Sequence, residues 1–237
     1  MQSVAQFFGL TSSSELGWAH RVNTLGYLTA AASNPDIHVV EGDVQFTEQD
    51  AVPHMGHRPG LSELDLPTFL TTSMLGNKAV KLDFHTPAAI EPALAILRVL
   101  RTQTPVILHA DVFALLGEAQ DKESLEPEQF IRLCQQSCPK AVISLGWSLK
   151  RTHDADGRVE DALIQQMAAM ALQRLGPVSY GIEFGAGYSN AADGANAERG
   201  AAMILDPLPE QPTPLSTRID GAGTNVVNII PRLRQVA

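Results

Sequence analysis

The chain is short of cysteine, short of basic charge and without any long apolar run, and each shortage closes off a class of protein. Its only two cysteines, Cys134 and Cys138, stand four residues apart at the end of an expected helix, Pro127 to Ser137. No His or Cys partner lies at metal-ligand spacing from them, so they read as reduced thiols rather than as a disulfide or a zinc knuckle. Seventeen Lys and Arg face 26 Asp and Glu, for a formal charge of −9. No basic patch emerges against that excess, which argues against a nucleic-acid binder, although a small phosphorylated substrate needs only local positive charge. No stretch nears the roughly 18–20 apolar residues of a membrane span. The first eight residues lack a basic segment followed by an apolar core, so no signal peptide is expected and the cytoplasm is the expected compartment. Neither a G-x-G-x-x-G nor a G-x-x-x-x-G-K-[ST] loop follows any expected strand, which weakens a nucleotide-binding reading. There is no internal repeat, charge block or linker, and residues 1–237 read as a single domain with a looser final third.

What is present is alternation. Short β-branched runs at 37–44, 78–84, 104–111, 141–147 and 178–184, after an apolar run at 16–20, read as buried strands. Between them lie helical segments at 25–32, 66–74, 87–101, 127–136 and 158–175, several with a Ser, Thr, Asn or Pro start signal. Residues 53–60, rich in Gly and Pro, read as a loop, and 225–230 is a last β-branched run. Alternation of this kind implies a parallel sheet covered by helices, either an open doubly wound sheet or a (β/α)8 barrel.

Polar residues decide between the two. His20 and Arg21, Glu41 and Asp43, Lys81 and Asp83, His109 and Asp111, and Trp147 fall at the ends of five successive strands. A barrel gathers its site from many strand ends, whereas an open sheet concentrates it at one switch point. The expected fold is therefore a (β/α)8 TIM barrel, irregular in its C-terminal third.

Glu41 and Asp43 are two apart on a strand, so their carboxylates share a face. Two carboxylates turned toward an interior repel unless a cation stands between them, and with Asp83 they make an oxygen-rich set suited to Mg²⁺ or Ca²⁺. An exposed edge strand with an acidic face is the plainer reading. His20 and His57 are candidates for general acid and base because imidazole titrates near neutral pH, with His54 competing from the same loop. Lys81 shares a face with Asp83 and serves either as its ion-pair partner or as a phosphate contact.

The strings Gly17-Trp18-Ala19-His20-Arg21-Val22-Asn23, Glu41-Gly42-Asp43-Val44, Pro53-His54-Met55-Gly56-His57 and Lys81-Leu82-Asp83-Phe84 resemble, in order and spacing, the menorin family. The helix start Ala89-Ile90-Glu91-Pro92-Ala93-Leu94 does too. Menorin-like domains look related to the barrel phosphodiesterases, which include glycerophosphodiester phosphodiesterases and venom phospholipases D. That resemblance implies His20 and His57 as the acid–base pair and Glu41, Asp43 and Asp83 as ligands of a divalent cation. The resemblance also implies that Arg21 meets phosphate. The expected substrate-facing set is Arg21, Asn23, Lys81, His85, His109, Asp111 and Trp147, with His109 and Asp111 otherwise a hydrogen-bonded rim and Trp147 otherwise core packing. The expected activity is metal-dependent cleavage of a glycerophosphodiester or a lysophospholipid-like lipid headgroup, by hydrolysis or through a cyclic phosphate. The alternative is a non-catalytic binding or scaffold protein on the same barrel. One departure stands out: those relatives carry Lys two residues after the third-strand acid, where this chain has His85.

Overall fold

The computed structural model describes residues 4–11, 15–47, 49–56, 62–113, 126–148 and 182–187. The expected helix at 158–175, the run at 225–230 and His57 lie outside the described residues. Six strands run parallel: β1 (Trp18–Ala19), β2 (Val39–Gln45), β4 (Ala79–Phe84), β5 (Val106–Phe113), β6 (Val142–Ser148) and β7 (Ile182–Gly187). They are ordered β1-β2-β4-β5-β6-β7, so each parallel strand lies beside the next in the chain and the order never reverses. A doubly wound sheet would reverse at its switch point. Among the described residues no pairing joins β7 to β1, and the sheet there is an open path.

A seventh strand corrects the loop expected at 53–60. His54–Met55 forms β3, antiparallel to β2, pairing Met55 with Val44 and His54 with Gln45. The Gly and Pro punctuation on either side masked a two-residue pairing that depends on the end of β2 being close by.

The sheet has two unlike faces, as its period of two requires. Val40 and Val44 of β2, Val80, Leu82 and Phe84 of β4, Leu108 of β5 and Ile143 of β6 lie in one cluster with residues of the covering helices. Those helices are α2 (Leu25–Ser33), α3 (Leu66–Leu75), α4 (Ile90–Leu100) and α5 (Pro127–Ser137). Phe69 of α3, Leu94 of α4 and Phe130 of α5 are essentially removed from solvent, and each such side chain contributes roughly 1.5–3 kcal/mol. On the opposite face Val39, Ala79, Ile107 and Val142 form a layer with Val4 of α1 (Val4–Phe7) and Leu16. All seven residues of β2 are buried, Glu41, Asp43 and Gln45 included, so its polar side chains are enclosed along with its valines.

Local chemistry sets the helix ends. Thr24 caps α2 by accepting the Tyr27 N–H at 3.3 Å, and Asp65 caps α3 by accepting that of Thr68 at 2.7 Å. Thr86 departs from the expected cap: Pro87–Ala89 first makes a 3₁₀ turn, α4 begins at Ile90, and the Thr86 hydroxyl makes no cap bond. The ammonium of Lys78 is buried at the start of β4. It donates to the carbonyls of Asn34 at 2.6 Å and Ile37 at 2.7 Å, tying the end of α2 to the sheet.

At Gly42 the helical side of β2 leaves little room for a side chain. A Cβ there would lie 2.5 Å from Met55 Cε and 3.2 Å from a ring carbon of Phe69. With no Cβ at Gly42, β3 and α3 lie close against this face of β2, and alternation along the strand puts Glu41 and Asp43 on the other.

Candidate functional site

Because the six strands are parallel, their carboxyl ends lie along one edge of the sheet. Register then aligns one row of polar positions: Asp43 pairs with Asp83, Asp83 with His109, His109 with Ser144 and Ser144 with Glu183. Five strands thus contribute to a single row. Ser144 and Glu183 were not singled out in the sequence, because each sits in an otherwise ordinary strand and only cross-strand register aligns them with the acids.

Asp43 and Asp83 are brought together with His85, the residue that follows β4. One carboxylate oxygen of each acid and a ring nitrogen of His85 lie within 4.8 Å of one another. His85 Nε2 donates to Asp43 Oδ1 at 2.8 Å and stands 3.9 Å from Asp83 Oδ2. The other oxygen of Asp43, Oδ2, accepts the side-chain amide of Asn23 at 2.6 Å, while the Asp43 N–H donates to Asn23 Oδ1 at 3.0 Å. This two-point clasp fixes which oxygen of Asp43 faces His85. Asn23 therefore acts on the carboxylate, a role that its position beside an expected helix start did not reveal.

Glu41 lies one step deeper on the same face of β2 and outside that three-residue group. Its Oε2 accepts the Arg21 N–H at 2.7 Å and lies 3.4 Å from His20 Nε2. Its Oε1 is buried with no hydrogen-bond partner among the described residues. Burial pushes the Glu41 carboxyl up, with Asp83 and Asp43 adding to the shift and Lys81 and the Arg21 N–H opposing it, to about 7. To present its N–H, Arg21 adopts a left-handed backbone with φ of 54°. For a non-glycine residue this costs about 1–2 kcal/mol, strain of the kind held at functional sites.

The His20 side chain is 45% exposed above the buried Glu41. Desolvation first, then Lys81 and Arg21, lower its pKa from 6.5, so the neutral imidazole predominates at neutral pH. His54 is occupied differently, its Nδ1–H donating to the Ser62 carbonyl at 3.1 Å. His109 is buried, its Nδ1 lying 2.6 Å from Ser144 Oγ and its Nε2 4.0 Å from Asp83 Oδ1. Asp111 and Trp147 occupy β5 and β6, in register with Gly146 and Phe113. The structure thus gathers His20, Arg21, Asn23, Glu41, Asp43, Asp83, His85 and His109 around one end of the sheet.

The family profile described as the Menorin N-terminal domain matches residues 12–193. The chain belongs to the menorin family. The human Protein FAM151B is 29% identical over 140 residues, which cover 56% of this chain and 50% of that protein. The chain thus spans about half the length of this curated relative. No solved structure matches this chain. The menorin match takes in every strand named above and every member of the polar row.

The donor chemistry fits a divalent cation. Two juxtaposed carboxylates, an imidazole nitrogen and a second-layer amide clasp are the usual components of such a site, and the unpartnered Glu41 Oε1 leaves buried acceptor capacity beneath it. Asp43, Asp83 and His85 would hold the ion, with Glu41 completing the acidic pair on β2.

Proposed function

We propose that this menorin-family domain is a divalent-metal-dependent phosphodiesterase, acting on a small glycerophosphodiester or a lysophospholipid-like headgroup. The observation that carries the reading is the exposed His20 imidazole set directly over the buried Glu41, at the edge where Asp43 and Asp83 are paired. A strand order without reversal supports closure of the sheet into a (β/α)8 barrel, whose catalytic face is the carboxyl end of its strands.

In this reading His20 is the base. Its lowered pKa leaves it free to take the proton of the attacking hydroxyl, whether from water or from a neighbouring group of the substrate. His57 returns a proton to the leaving oxygen. Arg21 and Lys81 meet the negative charge of the phosphate. Asn23 keeps the Asp43 carboxylate oriented, and Glu41 anchors the strained Arg21 turn from which His20 projects. A divalent cation held by Asp43, Asp83 and His85 would supply Lewis-acid polarisation of the substrate.

The test is a screen of glycerophosphodiesters and lysophospholipids, each with added divalent cation or with chelator. Turnover should require the cation, and His20→Ala should slow it by roughly 10²–10⁴. A second reading, a binding protein without turnover, is favoured by the His85–Asp43 hydrogen bond, which satisfies one oxygen of the acidic pair from within the chain. Absence of turnover in protein that binds the cation would put that reading first.

A further inference from the structure

We infer that His85 is itself a metal ligand, and that it tunes the site toward Mn²⁺, Co²⁺ or Zn²⁺ rather than Mg²⁺ or Ca²⁺. The inference deepens the phosphodiesterase reading by naming the ion of the same site. Its basis is the identity of the donors that converge: Asp43 Oδ1, Asp83 Oδ2 and His85 Nε2, the last 2.8 Å from the first and 3.9 Å from the second. Mg²⁺ and Ca²⁺ favour oxygen, whereas imidazole suits the borderline transition metals. A three-carboxylate site would keep the hard-ion preference. This chain instead places Glu41 outside the ligand cluster and an imidazole inside it.

Three further observations point to an ion rather than to a simple hydrogen bond. The Asn23 clasp occupies Asp43 Oδ2 and leaves Oδ1 turned to the cluster. Asp83 is in direct register with Asp43, so two carboxylates are held side by side and only one of them lies within 3 Å of the imidazole. The Glu41 side chain, 1% exposed and on the same face of β2, has an oxygen that no hydrogen bond satisfies among the described residues. Lys81 already acts on this carboxyl, so the bare oxygen adds buried acceptor capacity on the face of the cluster rather than a ligand to it. For His85 to ligate through Nε2, the ring proton moves to Nδ1, a tautomer open to a side chain that is 30% exposed.

The experiment uses the full chain, stripped with chelator and titrated calorimetrically with Mn²⁺, Zn²⁺, Mg²⁺ and Ca²⁺, beside His85→Gln. Pulsed electron paramagnetic resonance of the Mn²⁺-loaded protein reads the ligand atoms directly. The expected result is one site that binds Mn²⁺ and Zn²⁺ at least about tenfold more tightly than Mg²⁺ or Ca²⁺. In the variant that preference should collapse, with a nitrogen hyperfine coupling present before the substitution and absent after it. Unchanged circular dichroism would show that the variant is folded. Tight Mg²⁺ or Ca²⁺ binding that ignores His85→Gln overturns the inference and leaves the phosphodiesterase reading standing. Binding of no divalent ion overturns both. His85-dependent Mn²⁺ binding without turnover of any diester supports the inference and removes the phosphodiesterase reading.

Discussion

Replacing Glu41 by Gln should shift the stability of the metal-free protein in the variant's favour as pH rises. Glu41 is fully buried and its carboxyl is raised from 4.5 to about 7, chiefly by desolvation. A raised acid binds its proton more tightly folded than unfolded. Its favourable contribution is complete below pH 4.5 and is lost as pH rises through about 7. At about 1.4 kcal/mol per pH unit, that span corresponds to about 3 kcal/mol of stability lost by the parent and not by the variant. Gln keeps the shape and can accept the Arg21 N–H, while its buried amide adds a penalty that does not vary with pH. The quantity to measure is therefore the change, between pH 4.5 and pH 8, in the difference of unfolding free energy between variant and parent. Urea unfolding with chelator present gives it. A difference that grows by on the order of 3 kcal/mol toward alkaline pH is expected. A difference flat with pH would show that Glu41 is ionised at its ordinary pKa in the folded chain, and that a cationic partner has removed the desolvation cost.

Asn23→Ala opens the clasp on Asp43 and should weaken divalent-ion binding by roughly 10–100-fold, read by calorimetry, because the carboxylate loses its fixed orientation. Gly42→Ala sets a methyl group 3.2 Å from a Phe69 ring carbon and 3.3 Å from the Val22 carbonyl oxygen and displaces the flexible end of Met55, and thermal or urea unfolding should register a loss of about 1–3 kcal/mol. An unchanged midpoint in that variant would mean that β3 and α3 do not press on β2 as described.

The alternation of strand and helix was legible without coordinates because it rests on local chemistry. β-branched runs set the strands, Thr24 and Asn34 bound α2, Pro67 and Gly76 bound α3, and the period of two put Glu41 with Asp43 and Lys81 with Asp83. Family membership was legible for a related reason: the strings around His20, Asp43 and Asp83 sit at strand ends whose spacing the chain itself carries. Tertiary structure decided what depends on proximity across the sheet. The row Asp43–Asp83–His109–Ser144–Glu183 exists only through parallel register, and no spacing in the chain announces Ser144 or Glu183. Glu41 stands outside the Asp43–Asp83–His85 group, and one of its oxygens is satisfied instead by the N–H of Arg21, twenty positions away. Asn23 and His85 acquired their roles in the same way. A clasp on one oxygen of Asp43 and an imidazole on the other are long-range contacts, fixed by how β2 and β4 pair and by where the chain leaves β1.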